Sequence, residues 1–212
     1  LFRELSRKPW LTAQGAAHEA AGGVPATFVL PTARVGLRVF LVVVSVVFTL
    51  LLIAYADRIT HASWRSLPEP WLLWLNTALL ILSSVAMQWA RTSARGGHLE
   101  AAHGRMEGVR GGLYAGGGFA FAFLAGQLTA WQQLVDLGYF ANTNPANAFF
   151  YLLTALHGVH LMGGLVAWWR STARVRRGAE IAELRLGVEL CAVYWHYLLL
   201  VWLILFAFLL FT

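Results

Sequence analysis

Five uncharged, apolar runs constrain this chain more than any other feature, because each is long enough to cross a bilayer. A membrane helix needs roughly 20 mostly apolar residues to span about 30 Å of hydrocarbon. The first run lies between Arg38 and Asp57, the second between Glu69 and Arg91, and the third between Arg110 and Asp136. The fourth follows a turn at Asn142, Asn144 and Pro145 and ends before Arg170; the fifth continues from Leu190 to Thr212. None alternates in the way a membrane barrel strand must. The expected fold is therefore all-α: a polytopic membrane protein built as a five-transmembrane-helix bundle. Its spans are expected at about 37–56, 70–90, 111–135, 146–169 and 188–211. Residues 1–35 mix Arg3, Arg7, Lys8, Glu4 and Glu19 with Gly, Ala and Pro, and read as an aqueous N-terminal arm. They lack the charged, apolar and small-residue order of a secretory signal. The chain begins on Leu1 rather than Met, so residues upstream of it are expected.

Composition narrows the class. Of 212 residues, 58% are hydrophobic and 12% charged, against about 25% charged in a soluble domain. Too little polar surface remains to coat a water-soluble globule, which excludes an ordinary cytosolic enzyme and a disordered segment. The net charge of +6 does not indicate nucleic acid here; it reports orientation. Of the 16 Lys and Arg, all but Arg58 and Arg65 fall before span one, between spans two and three, or between spans four and five. Basic residues favour the cytoplasmic side, so the N-terminus is expected in the cytoplasm and the C-terminus outside. Trp71, Trp74, Trp89, Trp168 and Trp169 sit at span ends, where rings with one wet edge favour the headgroup level. The single cysteine, Cys191, permits no internal disulfide and reads as a small core residue.

Polar residues inside a membrane are costly and mark candidate sites. Span two carries Asn76, Ser83 and Ser84; span three Gln127; span four His157 and His160; span five His196, with Glu189 at its edge. His157 and His160, three residues apart, share a helical face. His160 and His196 lie at similar depth and would meet if spans four and five pack side by side. Three readings of the histidines stand open. They form hydrogen bonds across helices to Glu189, Asn76 or backbone carbonyls; they ligate haem; or they relay protons or contact headgroups. Gly112 and Gly116 form a GxxxG, and Gly118, Ala122 and Gly126 read as its continuation, a small-residue stripe for close helix approach.

Two segments resemble a known family. Phe149 through Gly164, with Thr154, His157-Gly158-Val159-His160 and Gly163-Gly164, resembles the double-histidine signature of subunit III of the haem–copper oxidases. Glu189 through Trp202, with Tyr194-Trp195-His196-Tyr197, is similar to that family's last helix, Leu75-Asn76-Thr77-Ala78 to a further motif, and Gln127 to its membrane glutamine. The similarity runs over about residues 36–212 and fits the five-helix form of the family. It implies an integral subunit of a respiratory terminal oxidase without a redox centre of its own, the haem and copper residing on partner subunits. Subunit I would be the direct partner, subunit II a member of the same complex, and phospholipid a bound ligand, in a bacterial inner membrane. Cytochrome c is the first expectation for the electron donor, quinol the second.

The same resemblance implies a structural polar cluster of His157, His160, Glu189, Trp195, His196, Asn76 and Gln127. It implies headgroup contact for Arg170, Arg174, Arg176, Arg177, Trp168 and Trp169. Two positions depart from the family: Val46 stands where it often has a membrane Glu, and Leu199 where it has Asp. Without the carboxylate, a scaffold and lipid-contact role is implied over a proton-handling one. The accessory subunit of nitric oxide reductases shares this fold. A membrane cytochrome binding haem through His157, His160 and His196 is the alternative of another class.

Overall fold

In the computed structural model, residues 32–59, 71–96, 102–142, 144–178 and 181–210 are described. The expected arm, up to residue 31, and Arg65 lie outside the described residues. Among the described residues there is no strand. Five α-helices follow one another: α1 Thr32–Ile59, α2 Leu72–Arg95, α3 Ala102–Asp136, α4 Pro145–Arg176 and α5 Ile181–Leu210. Each is long and apolar enough to cross a membrane. Thr32–Gly36 opens α1 as part of a separate N-terminal unit; the helix bundle proper is the unit from Leu37 onward.

The helices outrun their apolar cores, mostly at the basic ends. Helix α3 starts at Ala102 and α5 at Ile181, while α4 continues to Arg176. Ala, Arg and Glu are good helix formers whether or not lipid surrounds them. Hydropathy therefore marks the membrane portion of a helix rather than its end. Specific chemistry sets the other ends. Asn144 caps α4, its side chain accepting from the Ala146 N–H at 3.1 Å, and Pro145 occupies the first turn, where its missing N–H costs nothing. Gly138 at φ 85° ends α3 in a left-handed turn. The Gly138 and Tyr139 amides donate back to Val135 O and Leu134 O, which satisfies two terminal carbonyls.

Lipid is as apolar as leucine, so helices in a bilayer associate through close packing and hydrogen bonds rather than through burial from water. Helices α2 and α3 show the close packing. A Cβ on Gly112 would lie 2.6 Å from Ala86 O and from Ala90 N, and one on Gly116 would lie 2.8 Å from Met87 Sδ. One on Gly108 would collide with the Ser93 side chain. The contact stripe is thus Gly108, Gly112 and Gly116. Of the expected continuation, Gly118 faces open space and Ala122 is exposed, while Gly126 returns to the α2 side against Asn76. At 100° per residue, Gly118 lies about 200° round the helix from Gly116, on the far side.

Helix α1 packs differently. Phe48, Tyr55 and Val44 fill a layer against Leu153 of α4 and Val201 and Leu205 of α5. These large side chains hold the α1 backbone away from its neighbours. Leu41, Leu51 and Leu52 are partly buried beside this layer, whereas Val46 is exposed, so the position where the resemblance leads one to look for a carboxylate faces outward.

Candidate functional site

Four tryptophans of the bundle repeat one arrangement. A tryptophan donates its indole N–H across a helix boundary, usually to a hydroxyl that in turn donates to a backbone carbonyl. Trp195 of α5 donates to Ser83 Oγ of α2 at 2.7 Å, and Ser83 donates to Gly116 O of α3 at 2.6 Å. Trp202 of α5 donates to Thr77 Oγ1 of α2 at 3.0 Å, and Thr77 donates to Leu73 O. Trp131 of α3 donates to Thr154 Oγ1 of α4 at 3.1 Å, and Thr154 donates to Phe150 O. Trp168 of α4 donates directly to Leu113 O of α3 at 2.7 Å. An indole suits this use because it pairs a large packing surface with a single donor. A mid-helix hydroxyl suits the receiving end because its own proton goes to a carbonyl one turn back, or to a neighbouring helix, leaving lone pairs to accept.

These links account for Trp195 among the expected site residues and rearrange the others. Asn76 and Gln127 do meet: Asn76 Nδ2 donates to Gln127 Oε1 at 3.3 Å, both side chains buried between α2 and α3. Gly126 makes room for the pair, since a Cβ there would strike Asn76 Oδ1. Glu189 joins Arg95, with Oε1 2.7 Å from the guanidinium, tying the basic ends of α5 and α2 together. The three histidines go to three places. His157 is fully buried, its ring 5.8 Å from Phe123 and 5.3 Å from Trp202 by centroids. Its ring nitrogens have no hydrogen-bond partner among the described residues. His160 turns toward α1, 5.5 Å from Phe48, with Nδ1 bonded to Leu156 O of its own helix. His196 is exposed, with Nδ1 on Ala192 O of its own helix.

The seven residues therefore do not gather into one cluster, and His160 does not meet His196. Three residues along a helix turn the direction by about 60°, enough to aim His157 at the α3–α5 interior and His160 at α1. That divergence argues against bis-histidine haem ligation, which needs two rings converging on one iron. Among the described residues, no group of three or more His, Cys, Asp or Glu could hold a metal ion.

Trp168 also lies elsewhere than expected. Expected at the headgroups, it is 8% exposed and turned inward over Gly117, where any Cβ would collide with its ring; its neighbour Trp169 is 59% exposed. A free indole N–H within reach of Leu113 O gains more by bonding there than by staying in hydrocarbon. Arg170, Arg174, Arg176 and Arg177 are all exposed along the basic end of α4.

The hydroxyl partners Ser83, Thr77 and Thr154, and the cation Arg95, were not singled out by sequence reasoning as partners. Their one legible signal was a hydroxyl in the middle of an apolar span. Trp195→Phe is expected to cost about 1 kcal/mol of bundle stability, the net value of one buried hydrogen bond, while Ser83 keeps its bond to Gly116 O. Unfolding in mixed detergent–SDS micelles checks it.

A family model described as cytochrome c oxidase subunit III matches residues 13–212. The chain is similar to a protein named cytochrome c oxidase subunit 3 from Thermostichus vulcanus, 31% identical over 179 residues, covering 81% of this chain and 83% of the relative. A protein of the same name from a Synechocystis species is 31% identical over 180 residues, covering 81% of this chain and 72% of the relative. A probable cytochrome c oxidase subunit 3 from Nocardia farcinica is 29% identical over 145 residues, with 66% and 68% covered.

Proposed function

Since the chain belongs to the cytochrome c oxidase subunit III family, and is thus a multi-pass membrane subunit of a haem–copper oxidase in respiration, we propose that its own contribution is structural. It packs directly on subunit I, with subunit II in the same complex, and leaves haem and copper to those partners. It supports assembly of the complex and holds phospholipid at its surface. Cytochrome c, which the relatives' names carry, is the electron donor of the complex. The chain sits in a bacterial inner membrane with its N-terminal arm, residues 1–35, on the cytoplasmic side and its C-terminus outside, in keeping with the bias of its Lys and Arg. Arg170, Arg174, Arg176 and Arg177, with Trp169, meet anionic headgroups there, each basic residue contributing about 1 kcal/mol.

One observation carries the non-redox role. The three histidines that could serve a cofactor stand in three different surroundings: His157 against Trp202, His160 beside Phe48 of α1, and His196 exposed with Nδ1 on a carbonyl of its own helix. A respiratory subunit of this kind needs only to hold shape and to present a surface.

The test is purification through a tag on this chain in mild detergent. A haem-carrying oxidase subunit is expected to co-purify, and the preparation to consume oxygen. Recovery with a partner that reduces nitric oxide but not oxygen would overturn the assignment to an oxidase.

A further inference from the structure

His157 stands apart from the other two histidines. His160 and His196 each bond Nδ1 to a carbonyl one turn back on their own helix. His157 is fully buried, and neither its Nδ1 nor its Nε2 has a hydrogen-bond partner among the described residues. Two more such atoms belong to the buried amide pair. Asn76 Nδ2 donates to Gln127 Oε1, but Asn76 Oδ1 and Gln127 Nε2 have no partner among the described residues.

These atoms share one layer of the bundle. Helices α3 and α4 run antiparallel, in contact at Gly117–Trp168 and at Trp131–Thr154. Ten residues inward from the first contact, or four from the second, Gln127 falls level with Gly158, next to His157. Phe123, one turn from Gln127, has its ring 5.8 Å from that of His157. Trp202, with its ring 5.3 Å from His157, donates to Thr77, the residue after Asn76. Helices α2, α3 and α4 thus turn polar groups into the core at one depth, about 18 Å from the start of α4 and deep in the hydrocarbon.

The set is balanced. A neutral imidazole carries one N–H donor and one bare acceptor nitrogen, and the amide pair keeps at least one donor and one acceptor free. Turning both amides over, or moving the imidazole proton to the other nitrogen, leaves donors and acceptors on both sides as before. A cation would satisfy the acceptors and leave the N–H groups alone, and an acyl chain would satisfy neither. Water is donor and acceptor at once. A buried water makes about three hydrogen bonds to groups that otherwise lack partners, and each unsatisfied group in hydrocarbon costs several kcal/mol.

We propose that the bundle binds internal water in this layer, hydrogen-bonded on one side to His157 and on the other to the Asn76–Gln127 pair. Helix α4 is then joined to α2 and α3 at mid-membrane through solvent. The site lies wholly within this chain and does not depend on its role in an oxidase.

A density map of the intact complex, at a resolution that shows ordered water, tests it. The expected result is a water about 3 Å from a His157 ring nitrogen, linked directly or through a second water to Asn76 or Gln127. No water between them, or a direct bond from the imidazole to either amide, overturns the proposal. A double-mutant cycle of His157→Phe and Gln127→Met, read as the unfolding equilibrium in mixed detergent–SDS micelles, is the second measurement. The double variant is expected to lose about threefold less than the product of the single losses, the scale of one hydrogen bond between membrane helices. Losses that simply multiply overturn the proposal. The density reading needs no variant, so it decides the question even if a variant fails to assemble.

Discussion

Trp202→Ala is expected to destabilise the bundle by about 3 kcal/mol, the lower end of the range for deleting a buried Trp. Trp202 is fully buried on α5 and reaches three other helices. It donates to Thr77 on α2, meets Phe123 of α3 edge-on at 4.9 Å between centroids, and lies against His157 of α4. The lower end applies because a separated helix keeps this side chain in lipid, so the water-transfer part of the usual cost is absent. What remains is the void, the lost edge-to-face contact and the orphaned indole partner. Trp202→Phe, which keeps most of the volume, is expected to lose only about 1 kcal/mol. Unfolding curves in mixed detergent–SDS micelles measure both. Equal losses for the two variants would mean that the indole's volume is not what joins the four helices.

Glycine substitutions on α3 are expected to differ in sign. Gly112→Ala is expected to cost about 1–3 kcal/mol, the usual penalty of overpacking, because its Cβ would meet backbone atoms, Ala86 O and Ala90 N, that cannot rotate away. Gly118→Ala, on the open side of the same helix, is expected to be neutral or to stabilise by up to about 1 kcal/mol through helix propensity. A GxxxG stripe read from sequence alone runs through both faces; the pair of variants, measured by the same unfolding curves, decides which face carries the contact. If Gly118→Ala is the damaging one, α3 turns its other face to α2.

The contrast shows where the sequence was legible. Five helices follow directly from five uncharged runs bracketed by Arg, Asp and Glu, and the family resemblance follows from the His157–His160 and Tyr194–Tyr197 segments. The inward face of each helix was not legible. In a soluble protein, a polar face marks the outside. In lipid both faces are apolar, and adjacent residues such as Trp168 and Trp169 look alike in sequence although one is inside and the other outside. What separates them is the presence of a carbonyl or hydroxyl within reach on another helix, and that pairing exists only in three dimensions. The same holds for the histidines. Their spacing shows that His157 and His160 are close, but a difference in direction of about 60° sends them to different neighbours. Asn76 and Gln127, expected only as members of the larger cluster, pair with each other across α2 and α3.

As proposed, this chain is a structural subunit of a haem–copper oxidase and holds no redox centre. The most direct measurement is the optical spectrum of the complex before and after this chain is stripped from it by stronger detergent. The expected result is a Soret band that stays entirely with the remaining subunits, with the released chain transparent in that region. A Soret band that travels with the released chain, and is lost in His157→Ala or His196→Ala, would contradict the account.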